Sequence, residues 1–320
     1  PRMVPPTGLA VTMKTATTPL TRSTYRLVDY ATHAYLALVG LLILVFYSAN
    51  ITFRLLVPAV HVAAMAGLHF IILKQALYPH HRILTGLRNF YPFLLFTLFY
   101  MQSEALNLTF VQGYLDGFFI RLEENLFGMQ PSVRFMEALP YLAVSEIFYL
   151  FYFSYYVMVF GVGLALFMRD WEQYIHYISL ISITFYICYL LYIFLPVIGP
   201  PVFYTIIPGY LGQENLPYYP LQYPPQLTDG VFYQIMKVIY RWFEGSGAAF
   251  PSSHVAVALG TLYFSWRYLP RIRFLHLGAV ILLGLSTVYC RYHYVVDVVA
   301  GIVTAALVLP LGEYLYRRVK

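Results

Sequence analysis

Three side chains in the C-terminal third of this sequence have the types and spacing to do nucleophile and proton chemistry. His254 follows a proline and two serines in "FPSSH", at the head of an apolar, helix-like run. Ser252 or Ser253 can cap that helix, because a serine oxygen accepts the unpaired N–H groups of a first turn. The N–H groups left over make such a helix mouth an anion site, phosphate above all. Two small residues there let a phosphate approach the backbone, with His254 beside it. Further on, in "CRYHYVVDVVAG", His293 and Asp297 are four residues apart and share one helical face. A carboxylate about one turn into an apolar span is expensive in lipid and marks a functional site. If it accepts the hydrogen of one imidazole nitrogen, it leaves the other as a lone-pair nucleophile. The blander reading is a serine that only caps and a His–Asp pair that only ties two helices together.

Together the three residues spell a mechanism. His293 attacks phosphorus, while Asp297 orients it and stabilises the cation that forms. His254, protonated, gives its proton to the leaving oxygen. The two histidines then hold opposite protonation states at rest, and a bell-shaped pH profile is expected. Water or an alcohol resolves the phosphohistidine. The scheme calls for no cofactor and no metal, since metal sites usually take three or four protein ligands and this cluster lacks a third at helical spacing. A serine nucleophile at 252 or 253 has no charge-relay spacing to support it.

The elements that must position these groups are membrane helices. The 320 residues are 60% hydrophobic and only 11% charged, against about a quarter charged in a soluble domain. Lipid must be the solvent for so much apolar surface. Aromatics make up 19%, with 32 tyrosines, which suits interfacial belts and a wet site rim. The net charge of +6 forms no basic stripe, so no nucleic-acid partner is expected. Cys188 and Cys290 lie in apolar runs and read as small buried hydrophobes. Residues 1–25 have no apolar core and are not a signal peptide.

A span needs about 20 apolar residues. Eight are expected, near 33–50, 55–76, 89–107, 139–167, 174–197, 251–269, 275–291 and 293–316. The fold class is therefore all-α, a polytopic membrane helix bundle. Residues 108–131 read as an amphipathic interfacial helix. The long connection 198–250 is too rich in Pro for a regular helix, except for a short amphipathic one at 230–245. Eight spans put both termini on one side, where most of the 20 Lys and Arg fall. The termini are then cytoplasmic, and the Pro/Tyr loop, His254 and His293 face outward, toward a periplasm or lumen.

At these residues the sequence resembles the type-2 phosphatidic acid phosphatase superfamily, over roughly residues 85–316. The family's second motif, Pro-Ser-Gly-His, reads Pro251-Ser252-Ser253-His254 here. Its third, Ser-Arg, five residues, His, three residues, Asp, reads Ser286-Thr287, five residues, His293, three residues, Asp297, with Thr replacing Arg. Its first, Lys, six residues, Arg-Pro, is absent; "LPVIGPP" at 195–201 stands in its place. This pattern is similar to the inositol-phosphorylceramide synthase branch, which moves an inositol-phosphate headgroup onto a ceramide. "LRNFYPFLLFTLFY" at 87–100 and "ENLFGMQPS" at 124–132 also look like that branch. The resemblance implies a six-helix core over 85–320 containing the outer loop 198–250, two additional spans in 31–84, and a cytoplasmic tail 1–30.

With the family's cations missing, other groups must neutralise phosphate oxygens. Arg291 ranks first and Arg241 second, beside Ser252 and Ser253; each arginine could equally be an interfacial snorkelling cation. Glu104 and Glu146, near the outer ends of their spans, could hold a polyol or pair with an arginine. His61 and His69 read as packed and hydrogen-bonded. The implied activity is a lipid phosphotransferase, with a phospholipid donor and a lipid or alcohol acceptor drawn from the bilayer. The alternative is a phosphatase on phosphatidate or polyprenyl (di)phosphate, which shares the chemistry up to the intermediate. Loss of the cations that grip a phosphomonoester favours a phosphodiester, hence transfer. A transporter using the cluster as an ion site would show paired halves or broken helices; neither is visible.

Overall fold

The computed structural model describes residues 24–201, 223–243 and 248–319. Most of the tail 1–30, and residues 202–222 and 244–247 of the Pro/Tyr connection, lie outside the described residues. Among the described residues there are eleven α-helices and no strand. They are α1 (Leu27–Phe46), α2 (Ile51–Leu77), α3 (Arg82–Leu106), α4 (Asp116–Phe127), α5 (Pro131–Ala138) and α6 (Leu142–Arg169). Then come α7 (Trp171–Phe194), α8 (Val231–Phe243), α9 (Ser253–Tyr268), α10 (Arg273–Tyr289) and α11 (Val295–Val319). Each expected span corresponds to one helix. Five of these, α1, α2, α6, α7 and α11, are long and apolar enough to cross a membrane. The other three, α3, α9 and α10, pack among them.

The helix α7 is the axis of the bundle, packing against α1, α3, α6, α9 and α11. Its buried hydroxyls need partners in an apolar setting. Ser179, Ser182 and Thr184 donate back to the carbonyls of Ile175, Ile178 and Leu180 at 2.7, 2.6 and 2.9 Å. Asp170 turns the chain between α6 and α7: it ends the first, and its Oδ1 accepts from Gln173 N at 2.9 Å to begin the second. By contrast α2 packs on α1 and α3 and leaves most of its apolar surface facing outward.

The segment expected to be one interfacial helix over 108–131 is corrected. Regular helix starts only at Asp116 and stops at Gly128, which adopts the left-handed conformation with φ 69°. Pro131 then opens α5 at a first-turn position, where its missing N–H is no loss. The amphipathic helix expected at 230–245 is α8, whose first turn donates to Glu146 from Phe232 N at 2.9 Å and Tyr233 N at 3.2 Å. Glu146 is therefore a helix cap.

The close crossing of α9 and α11 places the chemistry. A Cβ at Gly301 would lie 2.6 Å from the Ser252 carbonyl oxygen, so only glycine lets α11 approach the head of α9. Ser252 N donates to the Asp297 carbonyl at 3.0 Å across that contact.

Candidate active site

The three residues singled out in the sequence meet at one end of the bundle. His254 sits in the first turn of α9, His293 in the turn between α10 and α11, and Asp297 in the first turn of α11. His293 Nδ1 lies 3.3 Å from Asp297 Oδ2, and its Nε2 lies 3.4 Å from His254 Nδ1. The far nitrogen of His254, Nε2, lies 3.1 Å from the Tyr152 hydroxyl. Tyr152 in turn shares a hydrogen bond with the Tyr240 hydroxyl. One line of polar atoms thus runs from α8 through α6 and both histidines to α11.

Local geometry explains why His293 points inward. The last turn of α10 closes with Tyr292 N and His293 N both donating to the Thr287 carbonyl at 3.0 Å. Arg291 takes a positive φ of 65°, folding the chain back toward α11. Tyr294 N donates to Asp297 Oδ2 at 2.9 Å, so one carboxylate oxygen holds both the turn and the imidazole. The other oxygen, Oδ1, is buried and has no hydrogen-bond partner among the described residues. Burial lowers the His293 pKa to about 4, outweighing the upward effect of its hydrogen bond with the Ala249 backbone. Its lone pair is therefore available at neutral pH.

Two carboxylates not picked out from the sequence brace this turn from α4. Asp116 accepts Ile198 N and Gly199 N, each at 2.9 Å, and the Tyr294 hydroxyl at 3.0 Å. Gly199 itself has φ 93°, and a Cβ there would crowd the Tyr292 carbonyl at 3.1 Å. Glu123 accepts Val296 N at 3.0 Å and so caps α11. Burial raises Asp116 to about 6 and Glu123 to about 7, despite the backbone donors that pull each down. These acids are seven residues apart, two turns along one face of an otherwise amphipathic helix. That spacing was the signal available in the sequence.

The remaining expected residues fall as follows. Ser252 is buried, and its oxygen accepts Val255 N at 3.4 Å as the α9 cap. Ser253 begins α9 and lines a cavity beside His254. Arg291 is buried, with its guanidinium donating to the Val133 carbonyl at 3.4 Å and lying 5.3 Å from the Tyr223 ring centre. Arg241 is exposed on α8, the helix that also carries Tyr240. Thr287, which replaces the arginine of the family motif, turns its hydroxyl back to the Gly284 carbonyl at 2.7 Å. His61 is packed between Leu36 O at 2.9 Å and Gln102 at 2.8 Å, as expected, whereas His69 pairs with Tyr25 but is exposed rather than packed.

The cavity has a volume of about 410 Å³ and starts at Ser253 and His254. Its walls are almost wholly apolar and aromatic, including Phe93 and Tyr100 from α3, Tyr156 from α6 and Tyr189 from α7. Tyr240 of α8 lines it beside His254.

Comparison with known proteins decides the family. The model of the PAP2 superfamily matches residues 118–311. The chain belongs to the PAP2 superfamily. It is also 35% identical, over 71 residues, to a PA-phosphatase related-family protein of Dictyostelium discoideum. That stretch is 22% of this chain and 13% of the Dictyostelium protein, so the chain matches only a small part of that relative's length. No solved structure matches. The family match begins inside α4 and takes in both histidines and Asp297.

Proposed function

We propose that this PAP2-superfamily chain is a membrane lipid phosphotransferase working through a phosphohistidine at His293. The observation that carries the reading is the facing histidine pair, one backed by a buried carboxylate and the other opening onto an apolar cavity. His293 Nε2 attacks phosphorus as Nδ1–H, held by Asp297, fixes the tautomer. His254 protonates the leaving oxygen. At 3.4 Å the two nitrogens close over each other, so an incoming phosphoryl group must part the rings. The cavity beside His254 suits the hydrocarbon part of a lipid substrate.

Transfer is favoured over hydrolysis by what surrounds the pair. Thr287 and the "LPVIGPP" segment supply none of the cations that would grip a doubly charged phosphomonoester. The phosphodiester of a phospholipid, with one charge, needs less. Arg291, Arg241, Ser252 and Ser253 are the phosphate-binding groups in this reading. A headgroup such as inositol phosphate, passed to a ceramide or diacylglycerol, fits the same chemistry. The excess of basic residues on the side of the termini supports cytoplasmic termini and histidines on the outer side.

The test uses wild-type protein and His293→Ala in detergent with lipid. Each is given phosphatidylinositol with ceramide or diacylglycerol, and separately phosphatidate, with products followed by mass spectrometry. A new headgroup-phosphate lipid made only by the wild type supports transfer. Free phosphate released from phosphatidate, also lost in the variant, replaces transfer by hydrolysis. Activity surviving His293→Ala overturns the phosphohistidine.

A further inference from the structure

We propose that Tyr152, held by Tyr240, is the positioning residue that holds Nε2 of His254, donating to it at rest and accepting from it when protonated, so that Nδ1 stays turned toward His293. The inference rests on His254 being the general acid of the preceding reading. An imidazole has two nitrogens, and catalysis needs the proton on the one that faces the reacting atoms. Here that nitrogen is Nδ1, 3.4 Å from His293 Nε2. The other, Nε2, meets the Tyr152 hydroxyl at 3.1 Å. The groups with titratable atoms around the His254 ring are Tyr152 and Tyr155 from α6, Tyr240 from α8 and His293 itself.

Donors and acceptors along the line fit one arrangement. His293 Nδ1–H donates to Asp297, which leaves Nε2 as an acceptor. His254 Nδ1–H donates to that acceptor, so His254 Nε2 carries a lone pair. The Tyr152 hydroxyl donates to this lone pair, and Tyr240 donates to Tyr152. When His254 gains its second proton, on Nε2, the Tyr152 oxygen turns from donor to acceptor. A phenol can serve both states; a carboxylate can only accept, and a phenylalanine can do neither. A carboxylate would also raise the affinity of His254 for its proton and weaken it as an acid.

The bookkeeping of the step is closed. In the first half, the His293 Nε2–P bond forms and the P–O bond to the leaving group breaks. His254 enters this half with a proton on each nitrogen; the leaving oxygen keeps the electron pair and takes the Nδ1 proton, which leaves a neutral imidazole whose Nε2–H donates to Tyr152. In the second half, the acceptor hydroxyl attacks phosphorus and its proton returns to Nδ1, while the N–P pair returns to Nε2 of His293. Tyr152 keeps its own proton throughout.

Packing keeps the phenols in place. Tyr152 is wholly buried, and its ring lies 4.5 Å from that of Tyr292. Tyr240 stacks on the same Tyr292 ring at 4.1 Å, with 12° between planes. Tyr292 immediately precedes His293, so the clamp that orients the acid also rests on the nucleophile's turn.

The test is ¹⁵N NMR of full-length protein labelled in histidine, in detergent, above the pH at which His254 protonates. Subtracting the spectrum of His254→Gln assigns the signals. Wild type should hold His254 as the Nδ1–H form, and Tyr152→Phe should move it to the Nε2–H form that free imidazole prefers, a tautomer-ratio change of about tenfold or more. Tyr240→Phe, a milder change should Tyr152→Phe fail to fold, should move the ratio in the same direction by less. A wild-type His254 in the Nε2–H form, or a ratio unmoved in the variants, overturns the proposal. Failure of the phosphohistidine reading would appear separately, as activity that survives His293→Ala, and would leave the tautomer measurement unaffected.

Discussion

The two ends of α11 each carry a histidine–carboxylate pair, and the pairs are built for opposite purposes. At the far end, Glu313 is 2.7 Å from His176 Nε2, 3.2 Å from Arg267 and 3.0 Å from Arg317, and it also accepts from the Tyr263 hydroxyl at 3.2 Å. Its charge is divided among two guanidiniums, an imidazole and a phenol from three helices. At the near end, Asp297 has one imidazole and one backbone N–H on Oδ2, and no partner among the described residues on its buried Oδ1. Saturated partners make a tie that holds α7, α9 and α11 together. In the proposed mechanism an undivided carboxylate stabilises the cation that appears when His293 is phosphorylated. The difference lies in how many other cations share the carboxylate, since the pair itself is chemically the same.

Several substitutions break or sharpen that contrast. His293→Ala should lower turnover by at least ~10³-fold, because no other group replaces the nucleophile. Steady-state assays with phosphatidylinositol or phosphatidate would register this. Asp297→Asn keeps the shape and removes the charge, and turnover should fall roughly 10²–10⁴-fold with little change in KM. Glu313→Gln should do the reverse. Activity should stay within about threefold, while thermal stability falls by several degrees, from a loss of about 1–3 kcal/mol. Equal losses of activity in Asp297→Asn and Glu313→Gln would abolish the distinction between the two ends.

A smaller effect concerns pH. Burial raises Glu123 from 4.5 to about 7 in the folded protein. Its folded pKa is above its unfolded one, so the stability it contributes is full below about 4.5 and is lost as pH rises through about 7. Glu123→Gln cannot lose that proton. Wild type should therefore become less stable relative to the variant as pH rises between these values, by thermal unfolding in detergent. A constant offset across that window would exclude a titrating Glu123.

What the sequence made legible follows from local spacing. His293 and Asp297 declared themselves by a four-residue interval inside an apolar run, and His254 by its place at a helix mouth. The bundle itself followed from the lengths of the apolar runs. Tyr152 and Tyr240 could not be found that way, because their partners lie 102 and 88 positions away and they are two of 32 tyrosines. The Glu313–His176 tie was hidden for the same reason. Asp116 and Glu123 were different: their heptad spacing was readable, but it looked like the polar face of an interfacial helix. The stretch 108–131, with no proline before Pro131, likewise concealed the break at Gly128, which depends on a left-handed conformation.

The central claim is that the covalent intermediate forms on His293, and rapid quenching addresses it most directly. Wild-type protein in lipid–detergent micelles would be mixed with phosphatidylinositol or phosphatidate, stopped within the first turnover, digested and read by peptide mass spectrometry. The account predicts an acid-labile phosphoryl adduct on the peptide carrying His293, absent in His293→Ala and retained in slower Asp297→Asn. An adduct on Ser252 or Ser253, or turnover in His293→Ala at the wild-type rate, would contradict it.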